Sequence, residues 1–160
     1  MQKELISEQS YKKYISQFNN LLSVEKPHWV KEKEIAAAFG DRSENAEYLS
    51  AKEMLRNIDK RLRFLDKIIN NSQVVQIDKI PHIKVNFGSK VEVIDLSTDE
   101  EKYFIVLGTY ESNPSQNIIS NKSPLGKLLL GKNIEDEIEL KINDQIFKYE
   151  ILSVEMYSFE

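Results

Sequence analysis

From Ser10 to Asn70 the chain contains a single glycine, Gly40, and a single proline, Pro27. So few breakers over such a length, with apolar residues spaced by three and four, commit the segment to helix. Its second part is the more regular: Tyr48, Ala51, Leu55, Ile58, Leu62, Leu65 and Ile69 alternate steps of three and four, the seam of a coiled coil. In the first part Ile15, Phe18, Leu22, Trp29, Ala36 and Phe39 share one register, Glu25 and Glu32 fall on seam positions, and Pro27 predicts a kink or interruption. Phe39-Gly40-Asp41-Arg42-Ser43-Glu44-Asn45 joins a helix stop to a helix start, so the two arms are expected to run antiparallel. Arms of roughly 30 residues extend ~45 Å, farther than a globule of about 80 residues covers, so the tip is expected to project into solvent or into a partner.

From about Val74 the pattern shortens to β-type runs at His82 to Phe87, Lys90 to Leu96, Tyr103 to Thr109, Glu137 to Ile142 and Ile146 to Val154, punctuated by Gly88, Gly108 and Asn143-Asp144. One short helix is expected between them, with Ser123 as N-cap, Pro124 at its first position and Gly131 at its stop. Asn70-Asn71-Ser72 and Pro81 bracket an expected linker. The fold class is therefore α+β: residues 1–75 form an antiparallel α-helical coiled-coil hairpin, and residues 76–160 a β-rich domain with one short helix.

Composition narrows the function. A chain of 160 residues excludes a large multi-domain enzyme, and the absence of cysteine removes disulfides, thiolate catalysis and Cys-ligated zinc. No apolar run approaches the ~20 residues of a membrane span, and Met1 to Ser10 fits neither a secretory signal nor a transit peptide, so a soluble cytoplasmic protein is expected. The net charge of −4 hides an asymmetry: 13 basic and 11 acidic residues precede Val75, and 9 and 15 lie from Val75 to the end.

Asp41 and Glu44 at the tip are two carboxylates close enough in sequence to converge on a hard cation such as Mg²⁺. The same Asp-x-x-Glu is also a capping-box spacing, and spacing alone leaves both readings open. Two carboxylates supply too few of the six oxygen ligands that Mg²⁺ prefers, so tight binding by the chain alone is not expected. On the second arm Lys52, Arg56, Lys60, Arg63 and Lys67 form a stripe that could track a phosphate backbone or simply be a solvated face. Gly126 to Asn133 nearly spells a P-loop, but Asn133 stands where Ser or Thr should hold Mg²⁺, and the inner residues read as helix. His28 and His82 lack the partners that zinc ligation or a catalytic triad requires. Trp29, Tyr48 and Tyr149 read as packing residues.

Gly40-Asp41-Arg42-Ser43-Glu44-Asn45-Ala46-Glu47-Tyr48 closely resembles the hairpin-tip signature of the bacterial Gre transcript-cleavage factors. Asn57 to Leu65 resembles that family's second arm, Val85-Asn86-Phe87-Gly88 the entry to its β domain, and Ile119 to Gly126 with Leu129 to Lys132 its helix region. The resemblance implies a C-terminal domain similar to FKBP-type isomerases. It implies a monomeric factor, not itself an enzyme, that inserts its coiled coil into the secondary channel of bacterial RNA polymerase and stimulates cleavage of the RNA 3′ segment in backtracked complexes. By motif, Asp41 and Glu44 would help to hold an Mg²⁺ shared with the polymerase and orient the attacking water. Ser43, Asn45 and Tyr48 would shape the tip. Lys52, Arg56, Lys60, Arg63 and Lys67 would contact RNA, and Ser123, Pro124 and Leu125 would dock on the polymerase. No cofactor of its own is implied.

Asp41-Arg42-Ser43 with the charged 56–63 segment is more similar to the B-type members than to the A-type. The chain departs from the family at Glu135, where glycine is usual, and in the polar Met1 to Ser10. Two alternatives remain: a channel-binding inhibitor of the same architecture without cleavage, against which the intact tip argues, and an FKBP-like isomerase or chaperone with a coiled-coil arm, against which the sparsely aromatic β half argues.

Overall fold

The computed structural model describes residues 3–159. The chain divides into two compact units: residues 11–71, and the chain up to Ser10 together with everything from Ser72 onward. This corrects the division at 75/76 at both ends of the helical segment. Strand β1 (Glu4–Ser7) pairs in parallel with β2 (Ser72–Val75), Leu5 opposite Gln73 and Ile6 opposite Val74, so both stretches belong to the β unit. Residues 70–81 are likewise no linker, since they contain β2 and a 3₁₀ turn, Ile77–Lys79, whose Ile77 is buried.

In the helical unit α1 (Glu8–Asn20) runs through a π-helical turn at Leu21–Glu25 into α2 (Lys26–Ala37), and α3 (Ala46–Asn70) returns. Pro27 does not interrupt the helix. A mid-helix proline clashes with the carbonyl four residues back, and the π turn, in which the Lys26 amide donates to the Leu21 carbonyl, widens the backbone where that clash would fall. The extra residue in that turn also moves the inward face. Leu21, Lys26, Trp29 and Lys33 are half-buried and Ala36 is buried, whereas the expected seam residues Leu22 and Phe39 are 47% and 77% exposed and Glu25 and Glu32 lie in solvent. On α3 the seam follows expectation through Ala51, Ile58, Leu62 and Leu65, with Ile68 rather than Ile69 completing it. Pairing across the arms runs in opposite order: Arg61 donates to Gln17, Lys26 pairs with Asp59 at 2.8 Å, and Asn45 donates to the Ala36 carbonyl. The arms are antiparallel.

The β unit is built on a five-stranded sheet of order β5-β4-β3-β7-β6. β3 (Ser89–Asp95), β4 (Glu101–Leu107), β6 (Glu137–Ile142) and β7 (Gln145–Met156) pair antiparallel, and β5 (Ile118–Ser120) adds in parallel to β4. The continuous apolar run of β4 reflects burial on both faces. Val106 joins Val91, Val93, Tyr149, Ile151 and Leu129 of α4 (Pro124–Leu129) on one side, while Ile105 and Leu107 pack with Ile77, Phe87 and Ile118 on the other, where Leu5 and Val75 cover them. α4 has the expected cap, the Ser123 hydroxyl accepting from the Gly126 amide. The stretch from His82 to Phe87 is not a strand. His82 is held across its turn, one ring nitrogen against the Ile77 carbonyl and the other against Ser89 Oγ, both at 2.7 Å.

β1 is fastened by a buried carboxylate. Glu111 accepts from the Ser7 amide at 3.2 Å, from the Ser7 hydroxyl and from the Gly108 amide at 2.8 Å. Gly108 lies so close beneath the strand that a Cβ there would stand 1.8 Å from the Leu5 carbonyl oxygen. Glu111→Ala would strand three buried donors, and the expected outcome is a loss of about 3 kcal/mol with an unchanged denaturant slope in urea unfolding.

The departure at Glu135 has a conformational meaning, because Glu135 sits at φ 76°, in the left-handed region. A side chain there costs about 1–2 kcal/mol, partly offset by the greater freedom that glycine gives the unfolded chain. Glu135→Gly is therefore expected to stabilise the protein by about 0.5–1 kcal/mol in the same measurement.

Candidate functional site

The end of the hairpin is built by Asn45. Its backbone is extended, its Oδ1 accepts from the Tyr48 amide at 3.0 Å, and its Nδ2 donates to the Ala36 carbonyl at 2.7 Å. One side chain thus caps α3 and ties it to the end of α2. The capping-box reading of Asp41 and Glu44 is thereby corrected, for neither carboxylate caps the helix. The signal was present in the sequence, since Asn45 directly precedes Ala46-Glu47-Tyr48, but Asp41 competed for the same role.

Asp41 instead closes a turn of its own. Its Oδ1 accepts from the Ser43 amide at 2.9 Å and the Ser43 hydroxyl at 2.8 Å, and the Glu44 amide donates to the Asp41 carbonyl at 3.3 Å. The Ser43 amide and then its hydroxyl hold the Asp41 carboxyl below its ordinary pKa, against a small opposing effect of desolvation. Asp41 and Glu44 are both exposed. Gly40 enters the turn at φ 143° with open space where a Cβ would stand.

Arg42, between them, turns elsewhere. Its guanidinium lies 5.6 Å from the centroid of the Tyr48 ring, with Lys33 Nζ 5.9 Å from the same centroid. The two cations were not singled out by the sequence pattern, because Lys33 and Arg42 come together only when the arms close. Among the described residues no group of three or more acidic or histidine side chains is arranged to hold a metal ion. Two exposed, hard carboxylates, of which Asp41 has only its Oδ1 engaged by Ser43, suit a cation whose remaining ligands come from elsewhere.

Lys52, Arg56, Lys60, Arg63 and Lys67 are all exposed along α3. Arg56 pairs with Glu53 at 2.9 Å, and the other four make no ion pair among the described residues. In the β unit, exposed Pro124 and half-buried Leu125 border a groove of about 430 Å³ lined by Ile118, Ile119, Leu140 and Ile142, with no aromatic ring in its lining. Ser123 is occupied in capping α4 and in donating to the Ser120 carbonyl at 2.6 Å. The tip, the stripe and the groove are thus three separate groups of residues. Among the described residues no helix is long and apolar enough to cross a membrane.

An α+β chain whose helical hairpin ends in an acidic turn relieved of capping, and whose β unit carries a single short helix, defines a narrow class. Residues 4–74 match the family described as transcription elongation factor, N-terminal, and residues 80–156 the one described as transcription elongation factor, GreA/GreB, C-term. A transcription elongation factor GreA of Helicobacter hepaticus is 39% identical over 154 residues, 96% of this chain and 94% of that protein. One of Nitratiruptor sp. is 40% identical over 153 residues, 96% of this chain and 93% of that protein. The chain belongs to the GreA/GreB family of transcription elongation factors. The crystal structure of a GreA factor homolog of Thermus thermophilus aligns at 20% identity over 96% of this chain and 99% of that one, with a TM-score of 0.45.

Both relatives carry the GreA name, so they lend no support to the B-type similarity of the tip. Within the 56–63 segment Arg56 pairs with Glu53, while Arg61 donates to the neutral Gln17 and keeps its charge.

The turn at Asp41 has a measurable signature. Because its pKa is depressed in the folded state, the turn contributes stability above the ordinary carboxylate range and loses it as pH falls through the lowered value. Ser43→Ala removes one of the two donors, and carboxyl-detected NMR titration is expected to show the Asp41 midpoint rising toward its ordinary value.

Proposed function

We propose that this family member is an accessory factor of bacterial RNA polymerase. Its helical hairpin would enter the secondary channel and bring Asp41 and Glu44 to the polymerase active site, promoting the polymerase's own cleavage of the RNA 3′ segment in backtracked complexes. The observation that supports this most is the division of labour at the tip. Asn45 does the capping, and the two carboxylates are left exposed, with Asp41 held ionised.

An Mg²⁺ shared with the polymerase would supply Lewis-acid stabilisation of the reacting phosphodiester. Asp41 and Glu44 are the residues that would hold it, with the polymerase supplying the remaining ligands. On the chain's side, Ser43 fixes the Asp41 oxygen and keeps the carboxyl charged, Glu44 offers a second carboxylate, and Tyr48 anchors the start of α3. The exposed cations Lys52, Arg56, Lys60, Arg63 and Lys67 would contact the extruded RNA, while Ser123, Pro124, Leu125 and the groove beside them would dock on the channel rim. The factor would act as a monomer in the cytoplasm, without a cofactor of its own.

With Asp41→Ala and Glu44→Ala combined, stimulated cleavage is expected to fall by about a hundredfold or more while polymerase binding survives. The assay is RNA fragment size from a purified backtracked complex. Cleavage retained by the double variant would overturn the assignment. Slowed synthesis without new 3′ ends on addition of the wild-type chain would favour a channel inhibitor instead.

A further inference from the structure

Next to the acidic turn stand two cations, Lys33 and Arg42, that the cleavage reading does not use. Lys33 of α2 and Arg42 of the turn both lie within 6 Å of the centroid of the half-buried Tyr48 ring, and all three line a cavity of about 280 Å³ between the arms together with Val30, Ala37 and Leu55. Each cation gains from the electron-rich ring. Glu34 lines the same cavity, yet among the described residues neither Lys33 nor Arg42 lies within ion-pair distance of a carboxylate. Lys26 and Arg56 of this unit do have such partners, Asp59 and Glu53, whereas Lys33 and Arg42 share an aromatic ring.

We propose that Lys33, Arg42 and Tyr48 form an anion-binding site for a phosphate group, borne by a free diphosphate or by RNA. The guanidinium offers paired N–H donors in the fork geometry that phosphate oxygens match, and the lysine adds a compact point charge. An anion in the cavity that both cations line is attracted by each of them. Apolar Val30, Ala37 and Leu55 make up part of the wall and reduce screening by water, which strengthens the attraction. The cavity is near the lower end of ligand-pocket size, about 300 Å³, which suits a small phosphate group better than a whole nucleotide. The ring restrains both long side chains before the ligand arrives, so less freedom is lost on binding. The site is distinct from the stripe on α3 and does not depend on cleavage activity.

The test uses the full chain alone, at physiological ionic strength. Inorganic pyrophosphate, and in a second arm a short single-stranded RNA without terminal phosphates, are titrated while the Arg42 side-chain N–H and Tyr48 ring resonances are followed by NMR. Saturable shifts confined to these groups are expected with at least one of the two ligands, the responding arm identifying the source of the phosphate. Lys33→Gln and Arg42→Gln are each expected to weaken binding about tenfold or more, while Lys33→Arg retains it and Lys13→Gln, which removes a charge from the exposed face of α1, leaves it unchanged. The absence of saturable shifts in both arms would overturn the proposal. So would equal affinity in the Lys33→Gln/Arg42→Gln double variant, which would reduce the effect to diffuse surface charge.

Discussion

The structure of the hairpin tip depends on Asn45. A helix start leaves backbone donors unsatisfied, and some side chain must accept from them. Had Asp41 done so, its carboxylate would have been turned into the helix and lost to any partner. Asn45 accepts from the Tyr48 amide while its Nδ2 group donates to Ala36 on the other arm, a pair of roles that needs an amide, since a carboxylate has no donor to give. The buried Ala36 and Ala51 let the arms come close at this point. Closure of the hairpin and release of the acidic turn are consequences of the same residue.

The heptad seam of α3 was legible from spacing because it is long, uninterrupted and packed on one face. The first arm was less so. Spacing keeps one register past Pro27, and the proline predicts a kink or interruption, whereas the π turn at Leu21–Glu25 inserts a residue, leaving Leu22 exposed within it and Lys26 and Lys33 half-buried beyond it. Lys26 there pairs with Asp59 of the other arm. A proline announces that the backbone must yield, but not how.

In the β unit the long strands and the α4 cap were readable, while β1, β2 and β5 were not. Each has only three or four residues, too few for alternation to declare itself, and each owes its existence to a partner distant in sequence. β1 is stabilised by Glu111, more than a hundred residues away. For the site, the acidic pair and the basic stripe were visible as residues; which side chain caps, and which cations remain unpaired, depended on contacts across the hairpin.

Charge at the tip is sorted over a very short distance. Arg42 lies between Asp41 and Glu44 in sequence, and the simplest arrangement would have it neutralise one of them. It rests on the Tyr48 ring instead, near Lys33. The ring is a partner without charge, so it can hold the guanidinium without consuming a carboxylate. Asp41, meanwhile, satisfies one oxygen with the neutral donors of Ser43, which lower its pKa without cancelling its charge. Two carboxylates and a guanidinium thus stand within four residues, Asp41 held by the neutral donors of Ser43 and Arg42 by an aromatic ring.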